Sequence, residues 1–402
     1  MIKMASVSEA LSLLREHGTR AQLDTEAFPV GLSGGRVLVE DVTARVNQPP
    51  ADISAMDGYA VRLADAARDS ALKVIGESRA GTPFSGAIGV GECIRIFTGA
   101  HVPLGADHIL IQEDAERDDD VVRVTEQQKP PSSIRRAGLD FRTGDVLVPA
   151  GTRMGPGAIA LAAAGNAAEV RVTKRPRVGV LATGDELAPP GAGLDAGQVV
   201  NSIQPALLEY LRLWGAEAVD LGIATDEIQS VRDRIRQSLD LVVSIGGASV
   251  GDYDVVRDAF AEEGFERVFE KVAVKPGKPT WFSRRSGVLA LGLPGNPAAA
   301  LVTANLFLKP LVDSMLQKGS QEPSVGRAVS ETAIPAGGQR EEYLRAVLAN
   351  GPDGRSTVRP WTNQDSSLLH PFLSANALIR REKSAPAVAP GDVVEVVLIE
   401  TV

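Results

Sequence analysis

Apolar side chains near the start of the chain recur at helical spacing. Val7, Ala10, Leu11 and Leu14 form one stripe behind a Ser6/Glu9 capping-box pair, which predicts a helix that Gly18 ends. From residue 29 to 172 the pattern shortens to β-like runs separated by Gly and Pro, among them 36–39, 59–62, 92–97 and 108–112. Asp118, Asp119 and Asp120 read as an exposed hairpin tip, and Pro130, Pro131, Ser132 and Ser133 as a crossing between subdomains. An Ala-rich helix over 156–164 precedes a strand over 169–173.

At Lys174 the pattern changes. Strands over 178–182, 218–221, 241–245 and 288–291 alternate with helices over 204–214, 226–239 and 297–315. Leu207, Leu208, Leu211 and Trp214 share a helical face, and Gly215 stands where that helix should stop. Such alternation predicts a parallel sheet with helices on its faces. Beyond Gln321 the helices cease, and short alternating segments at 327–334, 343–348, 356–359, 377–380 and 393–399 predict a small β-barrel or sandwich. The expected architecture is multidomain, α+β and α/β: β-rich front domains, a central α/β parallel-sheet domain and a C-terminal small β-barrel.

Composition narrows the function. The 402 residues suit roughly two to four domains. With 51 acidic against 42 basic residues the formal charge is −9, and aromatics make up only 4%. A global basic footprint for nucleic acid is absent, as is a polybasic membrane patch, and few rings are available for base stacking. The lone cysteine, Cys93, excludes a disulfide framework and a cysteine-based zinc cluster, and His17, His101, His108 and His370 show no ligand spacing. Polar residues interrupt positions 1–20, so no signal-type apolar core is expected there. Pro294, Gly295, Asn296 and Pro297 break the most apolar stretch, 287–308, before it could span a membrane. A cytoplasmic protein with neither nucleic-acid nor membrane partners is expected.

In a parallel α/β sheet, ligands bind beyond the carboxyl ends of the strands, where open loops and helix amino termini converge. Four segments share that place. They are Thr183-Gly184-Asp185-Glu186, the stretch from Gly222 through Thr225 to Asp226, the long loop Gly246-Gly247-Ala248-Ser249-Val250-Gly251-Asp252-Tyr253-Asp254, and Pro294-Gly295-Asn296-Pro297. Glycines let backbone N–H groups approach an anion or the polar part of a heterocycle, and they also suit plain tight turns. The long loop is not a Walker loop, because no Lys-Ser/Thr pair follows it, and no dinucleotide fingerprint follows the first strand. Asp185, Glu186, Asp226, Asp252 and Asp254 crowd carboxylates at one rim, a donor set for a hard cation such as Mg²⁺. For Asp226, capping of the next helix is the alternative role. Lys271, Lys275 and Lys278 fall within eight residues, on a turn stiffened by Pro276, Gly277 and Pro279. That island suits a phosphate-rich or oxyanionic ligand, or else surface solvation. Arg135 and Arg136, followed by Asp140, make a second basic spot.

Six blocks then occur in a telling order. They are Ala55-Met56-Asp57-Gly58-Tyr59-Ala60, Phe97-Thr98-Gly99-Ala100, Thr183-Gly184-Asp185-Glu186-Leu187, Gly246-Gly247-Ala248-Ser249-Val250-Gly251-Asp252, the Lys275-Pro276-Gly277-Lys278-Pro279 turn and Pro294-Gly295-Asn296-Pro297. Together they resemble the MoeA family of molybdopterin molybdenumtransferases, to which the E domain of gephyrin is similar, over nearly the whole chain. The resemblance implies a homodimer of elongated subunits with four domains: 1–47 with 138–173 as a discontinuous dimerisation domain, 48–137 as an inserted β-rich domain, 174–320 as the molybdopterin-binding α/β domain, and 326–402 as the β-barrel. It implies a transferase reaction in molybdenum cofactor biosynthesis, inserting molybdate into adenylylated molybdopterin with release of AMP and with Mg²⁺ as cofactor.

The family cleft would lie between the α/β domain of one subunit and the Asp57/Thr98 domain of the other. Carried over position by position, Glu186 is an essential acid near the phosphates and the metal, with Asp185 beside it as a second metal residue. Asp226 and Asp252 are acids on the pterin side. Lys271 and Lys275, with Lys278 of the same turn, would hold phosphate or molybdate, while Asp57, Thr98, Arg135 and Asp140 would form the partner-subunit wall. Thr183, Gly184, Gly246, Gly247, Ser249, Gly251, Pro294 and Asn296 supply loop contacts to the substrate, and Arg345 and Ser367 contacts from the tail domain. Phosphates, dithiolene and molybdate are all anionic, so Lys, Arg and Mg²⁺ would offset their repulsion. Docking on a molybdopterin adenylyltransferase is a further expected partnership.

Two other readings share part of this pattern. An adenylyltransferase-like enzyme needs only the central unit, of about 150 residues, whereas residues 1–173 and a β tail flank it here. A non-catalytic molybdopterin-binding scaffold could keep the fold without its acidic rim, but Asp57, Glu186, Asp226 and Asp252 are all present. Both considerations favour the molybdenum insertase.

Overall fold

The computed structural model describes residues 1–21, 23–246, 255–318, 325–351 and 354–399. Its centre is a six-stranded sheet in the spatial order Glu217–Ala224, Arg177–Thr183, Leu241–Ile245, Val288–Leu293, Trp281–Arg285 and Glu266–Phe269. The first four strands are parallel. The last two continue the sheet as an antiparallel edge, which the alternation of strands and helices did not indicate. Leu241–Ile245 is buried at every position, as a strand covered on both faces must be. Helix Ile203–Trp214 packs Leu207, Leu211 and Trp214 against one face. Helices Ile228–Ile235 and Val255–Glu262 cover the other with Val231, Ile235, Ala259 and Phe260.

The first helix, Val7–Arg20, starts where the capping box places it: the Glu9 N–H donates to Ser6 Oγ, and the Ser6 N–H donates to the Glu9 carboxylate. Gly18 does not end it. The helix continues to Arg20, and Gly18 is buried where it meets helix Lys309–Met315. A Cβ at this position would lie 2.7 Å from Ser314 Cβ and 3.1 Å from the Leu311 carbonyl oxygen, so the missing side chain permits the close approach. Ala5, Val7, Ala10 and Leu14 belong to the core of the central sheet. The chain's opening segment is therefore a buttress of the α/β unit.

Other elements differ from their sequence patterns for local reasons. The helix expected over 297–315 is divided into Pro297–Thr303, a π-helical turn Ala304–Leu308, and Lys309–Met315. Pro310 cannot donate to the carbonyl four residues earlier and its ring would strike that group, so the ladder widens before it. The helix expected over 226–239 occupies only Ile228–Ile235. Residues 36–39 form no strand, only isolated bridges of Val37 with Arg153 and of Leu38 with Val172.

In the front, a sheet runs in the order His108–Ile111, Gly58–Val61, Glu92–Ile96, Ala71–Ser78, Val121–Val124 and Ala115–Asp118. The acidic triplet turns the last hairpin, with Asp119 at φ 52°. Cys93 is enclosed in this sheet, and burial pushes its thiol up to about 12, which leaves it inert. At the other end, Val325–Ser330, Glu341–Asn350, Ser356–Pro360, Ala377–Arg381 and Val393–Leu398 close into a barrel through pairing of Glu341–Asn350 with Ala377–Arg381. Ala328, Val358, Ile379 and Val396 fill it. The short strand Val274–Lys275 pairs with Glu341 and Glu342, joining the barrel to the central unit. Among the described residues no helix is long and apolar enough to cross a membrane.

The Gly18 contact predicts that Gly18→Val will lower stability by about 1–3 kcal/mol through overpacking, read as a lower urea midpoint at unchanged slope. A midpoint equal to wild type would mean that the two helices separate without cost.

Candidate active site

Strand register brings the candidate loops to one edge. Thr183 pairs with Ala224, Ala182 with Ile245, Ile245 with Leu293, Gly292 with Trp281, and Phe282 with Phe269. Asp226, the 183–186 turn, Gly246, Pro294 to Asn296 and the 271–280 turn all leave the sheet at the ends these pairs mark. At a strand spacing of about 4.8 Å, the acidic turn and the base of the lysine turn stand roughly 14 Å apart along this edge. The arrangement has an acidic pole and a cationic pole, suited to an elongated ligand lying across the strand ends.

At the acidic pole, Thr183 is buried and its hydroxyl donates to the Ile245 carbonyl at 3.2 Å. Gly184 adopts φ 145°, and a Cβ there would lie 2.5 Å from Glu186 Oε2, so the carboxylate folds back over bare backbone. The Asp226 N–H donates to Asp185 Oδ1 at 3.1 Å, which holds two carboxylates side by side. Asp226 is exposed as a residue. Desolvation of its carboxyl, then the charges of Asp185 and Glu186, nevertheless raise its pKa above the ordinary range. It does not cap the next helix, whose N-cap is Glu227 without a side-chain bond. Among the described residues no three acidic, histidine or cysteine groups converge into a complete metal cage. Of the long glycine loop, Gly246 donates to the Leu293 carbonyl at 3.2 Å. Gly247, Ser249, Gly251, Asp252 and Asp254 lie outside the described residues.

Two side chains beneath this pole gave no signal in the pattern. Gln204 is buried, and its amide nitrogen donates to the Val180 carbonyl at 2.9 Å, Asp220 Oδ1 at 2.8 Å and the Gly222 carbonyl at 3.0 Å. Asn201 donates to Gln204 at 2.7 Å. The pair fastens the start of helix Ile203–Trp214 to the strand ends. Two buried polar residues at the head of an otherwise apolar helix face were the available clue.

At the cationic pole, Lys275 and Lys278 are exposed and Lys271 is half-buried. Lys275 Nζ lies 3.1 Å from Glu342 Oε1 of the barrel, a contact the sequence did not reveal. Between the poles, Pro294 is buried and Asn296 exposed. Asn296 Nδ2 donates to Ser366 Oγ at 3.0 Å, and the Ala298 N–H donates to the Ser366 carbonyl at 2.9 Å, so a barrel loop closes over this part of the edge. Arg345 shapes that loop from inside. It is 1% exposed and donates to Gln364 Oε1 and to the carbonyls of Leu368 and Asp365 at 3.3, 2.7 and 2.8 Å. Those bonds tie its guanidinium to the 364–368 loop, so Arg345 places that loop. Ser367 is exposed, with its hydroxyl and N–H both on Asp365 Oδ1 at 2.7 and 2.8 Å.

A second cluster forms in the front sheet. Asp57 Oδ1 accepts the Thr98 N–H at 2.7 Å and its hydroxyl at 2.8 Å. These bonds, the N–H first, hold the Asp57 carboxyl below the usual range, with Arg95 adding to the effect. Arg135 pairs with Ile53 and is exposed, and the Asp140 N–H donates to the Gln48 carbonyl at 2.9 Å. Asp57 and Thr98 are bonded to each other inside the front sheet, whereas the sheet-edge residues make their bonds within the α/β unit and to the barrel. Asp57 and Thr98 thus form one pair, Arg135 pairs with Ile53 on a neighbouring strand and Asp140 is tied to Gln48, while the sheet-edge residues make a separate group. A cavity of about 330 Å³ lined by His17, Arg20, Arg284, Ser286 and Gly287 lies at the opposite edge of the central sheet, remote from both groups.

Comparison with known proteins gives a consistent result. The MoeA N-terminal region (domain I and II) matches residues 5–165, the probable molybdopterin binding domain matches 179–314, and the MoeA C-terminal region (domain IV) matches 327–399. The chain is 33% identical to a molybdopterin molybdenumtransferase of Haemophilus influenzae, over 92% of this chain and 93% of that one. It is 36% identical to one from a Nostoc species, over 82% and 78%. Among solved structures, a molybdopterin biosynthesis MoeA protein from Pyrococcus horikoshii superposes with a TM-score of 0.82 at 26% identity, covering 99% of this chain and 100% of that one.

Like charge at the acidic pole has a consequence for stability. An acid whose folded pKa is raised opposes folding once ionised, so Asp226→Asn should stabilise the protein at neutral pH in chelator. The gain should appear as pH rises through about 4 and vanish below it. Melting curves across that range check this, and a variant no more stable than wild type at pH 7 contradicts it.

Proposed function

Because the chain belongs to the MoeA family of molybdopterin molybdenumtransferases, and so is a transferase of molybdenum cofactor biosynthesis, we propose a division of roles across the two residue groups. Adenylylated molybdopterin lies along the strand ends with molybdate beside it. Glu186 and Asp185 face its phosphates, and Asp226 lies toward the pterin. Lys271, Lys275 and Lys278 neutralise phosphate or molybdate, and Asn296 with the 363–367 loop lines the middle of the edge. The observation that carries this reading is the alignment of acidic and cationic poles on one sheet edge, because an anhydride between two anionic halves needs charge of both kinds.

The carboxylates fit Mg²⁺ in one particular way. Among the described residues no three such groups form a complete cage, and adjacent acids of this kind suit an ion that keeps several waters and takes its remaining ligands from substrate phosphates. When bound there, Mg²⁺ supplies charge neutralisation and polarisation of the anhydride. Asp185 and Glu186 would hold it, and the bare backbone of Gly184 leaves room for the Glu186 carboxylate to turn toward it. The lysines hold the phosphate oxygens of the anhydride while it opens and AMP leaves.

The second chain of a homodimer supplies Asp57, Thr98, Arg135 and Asp140. Two observations support this part. Among the described residues the bonds of Asp57 and Thr98 stay within the front sheet, and helix Pro156–Ala164 is apolar all round with Ala160, Ala163 and Ala164 exposed. An apolar helix of that kind calls for a covering partner. Docking on a molybdopterin adenylyltransferase would deliver the adenylylated substrate without its release to solvent, and the cytoplasm is the proposed compartment.

AMP release from adenylylated molybdopterin, with and without molybdate in Mg²⁺ buffer, tests the reading. Wild type should release AMP in a molybdate-dependent way, and Glu186→Gln should fold but fail to do so. Normal turnover of that variant would remove Glu186 from the mechanism. Mixing Asp57→Asn with Glu186→Gln chains tests the shared cleft. Neither alone should be active, yet random reassortment should restore about a quarter of wild-type activity, from the one intact site of each mixed dimer. No recovery in the mixture would place both residues in one chain's site.

A further inference from the structure

One cation in the front sheet directs its contacts at the Asp57–Thr98 pair. Arg95 stands opposite Tyr59 in the antiparallel pairing of Gly58–Val61 with Glu92–Ile96. Its Nη1 donates to the Gly58 carbonyl at 3.1 Å and its Nη2 to Gln112 Oε1 at 3.0 Å. The guanidinium carbon lies 4.8 Å from the Phe97 ring centroid and 5.1 Å from that of Tyr59. Gly58 directly follows Asp57, and Phe97 directly precedes Thr98. Gln112 closes the set, because its N–H donates to the Asp57 carbonyl at 3.1 Å.

We propose that Arg95 is the positioning residue of the Asp57–Thr98 pair, setting the geometry with which this wall meets the substrate. The inference deepens the functional reading above and rests on it for the role of the pair. Asp57 and Thr98 sit on different strand connections and meet only if the Gly58 end of one strand and the Phe97 end of the other are held in register. A planar guanidinium does this with two directed bonds and two ring faces at once, which neither a lysine nor a neutral side chain can reproduce.

The same placement leaves Asp57 Oδ2 without a hydrogen-bond partner among the described residues, while Oδ1 accepts both bonds from Thr98. The carboxylate is thereby fixed at one oxygen and offered at the other. Arg95 also lends Asp57 positive potential, which favours its ionised form. Arg79 stands 5.7 Å from the Phe97 centroid and is paired to Glu77, so it adds charge near that ring without touching the pair.

The test compares Arg95→Lys and Arg95→Met with wild type as the full-length protein. In ¹⁵N spectra the Thr98 amide resonance, deshielded by its bond to Asp57, should move upfield in both variants. The Asp57 carboxyl pKa, followed by ¹³C, should rise in Arg95→Met and less in Arg95→Lys. Molybdate-dependent AMP release should fall between roughly 10- and 100-fold in kcat, the scale of a small misplacement of reacting groups. Phe97→Leu, which keeps both directed bonds, should lose less than either.

An unmoved Thr98 resonance and wild-type kcat in both Arg95 variants would overturn the proposal. So would a lower melting temperature with the Thr98 and Asp57 signals unchanged, which would make Arg95 a packing residue. If Arg95→Met fails to fold, Arg95→Lys decides on the same signals. The spectra need no substrate, so failure of wild type to release AMP would defeat the functional reading while leaving the link between Arg95 and the pair to be judged on its own.

Discussion

Parallel strands share an edge only when each connection crosses back over a face of the sheet, and that requirement aligns Asp226, Glu186, Gly246 and Asn296. Nothing in the local sequence of these loops brings them together. The register of four parallel strands does, and it is set by apolar side chains that interlock with helices on both faces. Elements distant from the edge consequently bear on it. The first helix reaches the core only because Gly18 lets it lie against helix Lys309–Met315, and Gln204 ties helix Ile203–Trp214 to strand ends that would otherwise splay at the Gly222 irregularity.

The edge is also electrically divided, and the division is built in before any ligand arrives. Desolvation, and then the nearby charges of Asp185 and Glu186, raise the Asp226 pKa, a cost that packing elsewhere must offset. At the other end Lys275 is already engaged by Glu342, whose strand belongs to the barrel. The barrel thus contributes in two ways: a carboxylate that orients a cation, and a loop fixed by buried Arg345 that reaches Asn296. A charged residue enclosed with two backbone carbonyls and the Gln364 side-chain oxygen is well satisfied there, which explains how a fully charged side chain can sit at 1% exposure.

Much of this was legible because the patterns are local. The Ser6/Glu9 box, the Leu207-Leu208-Leu211-Trp214 stripe with Gly215 behind it, and the alternating strands of the tail each depend on neighbours a few residues away. The grouping of Asp57 with Thr98 was legible too, but through motif resemblance. What could not be read depends on partners far along the chain. Gly18 looks like a helix stop until Ser314 is placed beside it. Arg345 looks like a ligand-binding cation until its carbonyl partners surround it. The edge strands Trp281–Arg285 and Glu266–Phe269 alternate too weakly to declare themselves, being defined by pairing with Val288–Leu293. Asp226 could have capped a helix, and only the helix start at Ile228 separates that role from its place beside Asp185.

The two residue groups make complementary demands on a ligand. The sheet edge offers acids, lysines and a capped loop but no wall opposite them. The front sheet offers a carboxylate free at one oxygen, a hydroxyl and an exposed arginine but no floor. In the proposed reading each is half of a cleft. The apolar helix Pro156–Ala164 stands in the segment that connects them, with alanine faces and no polar side chain to satisfy water. In the proposed dimer a second copy related by a two-fold axis would cover the helix and supply the wall in the same contact.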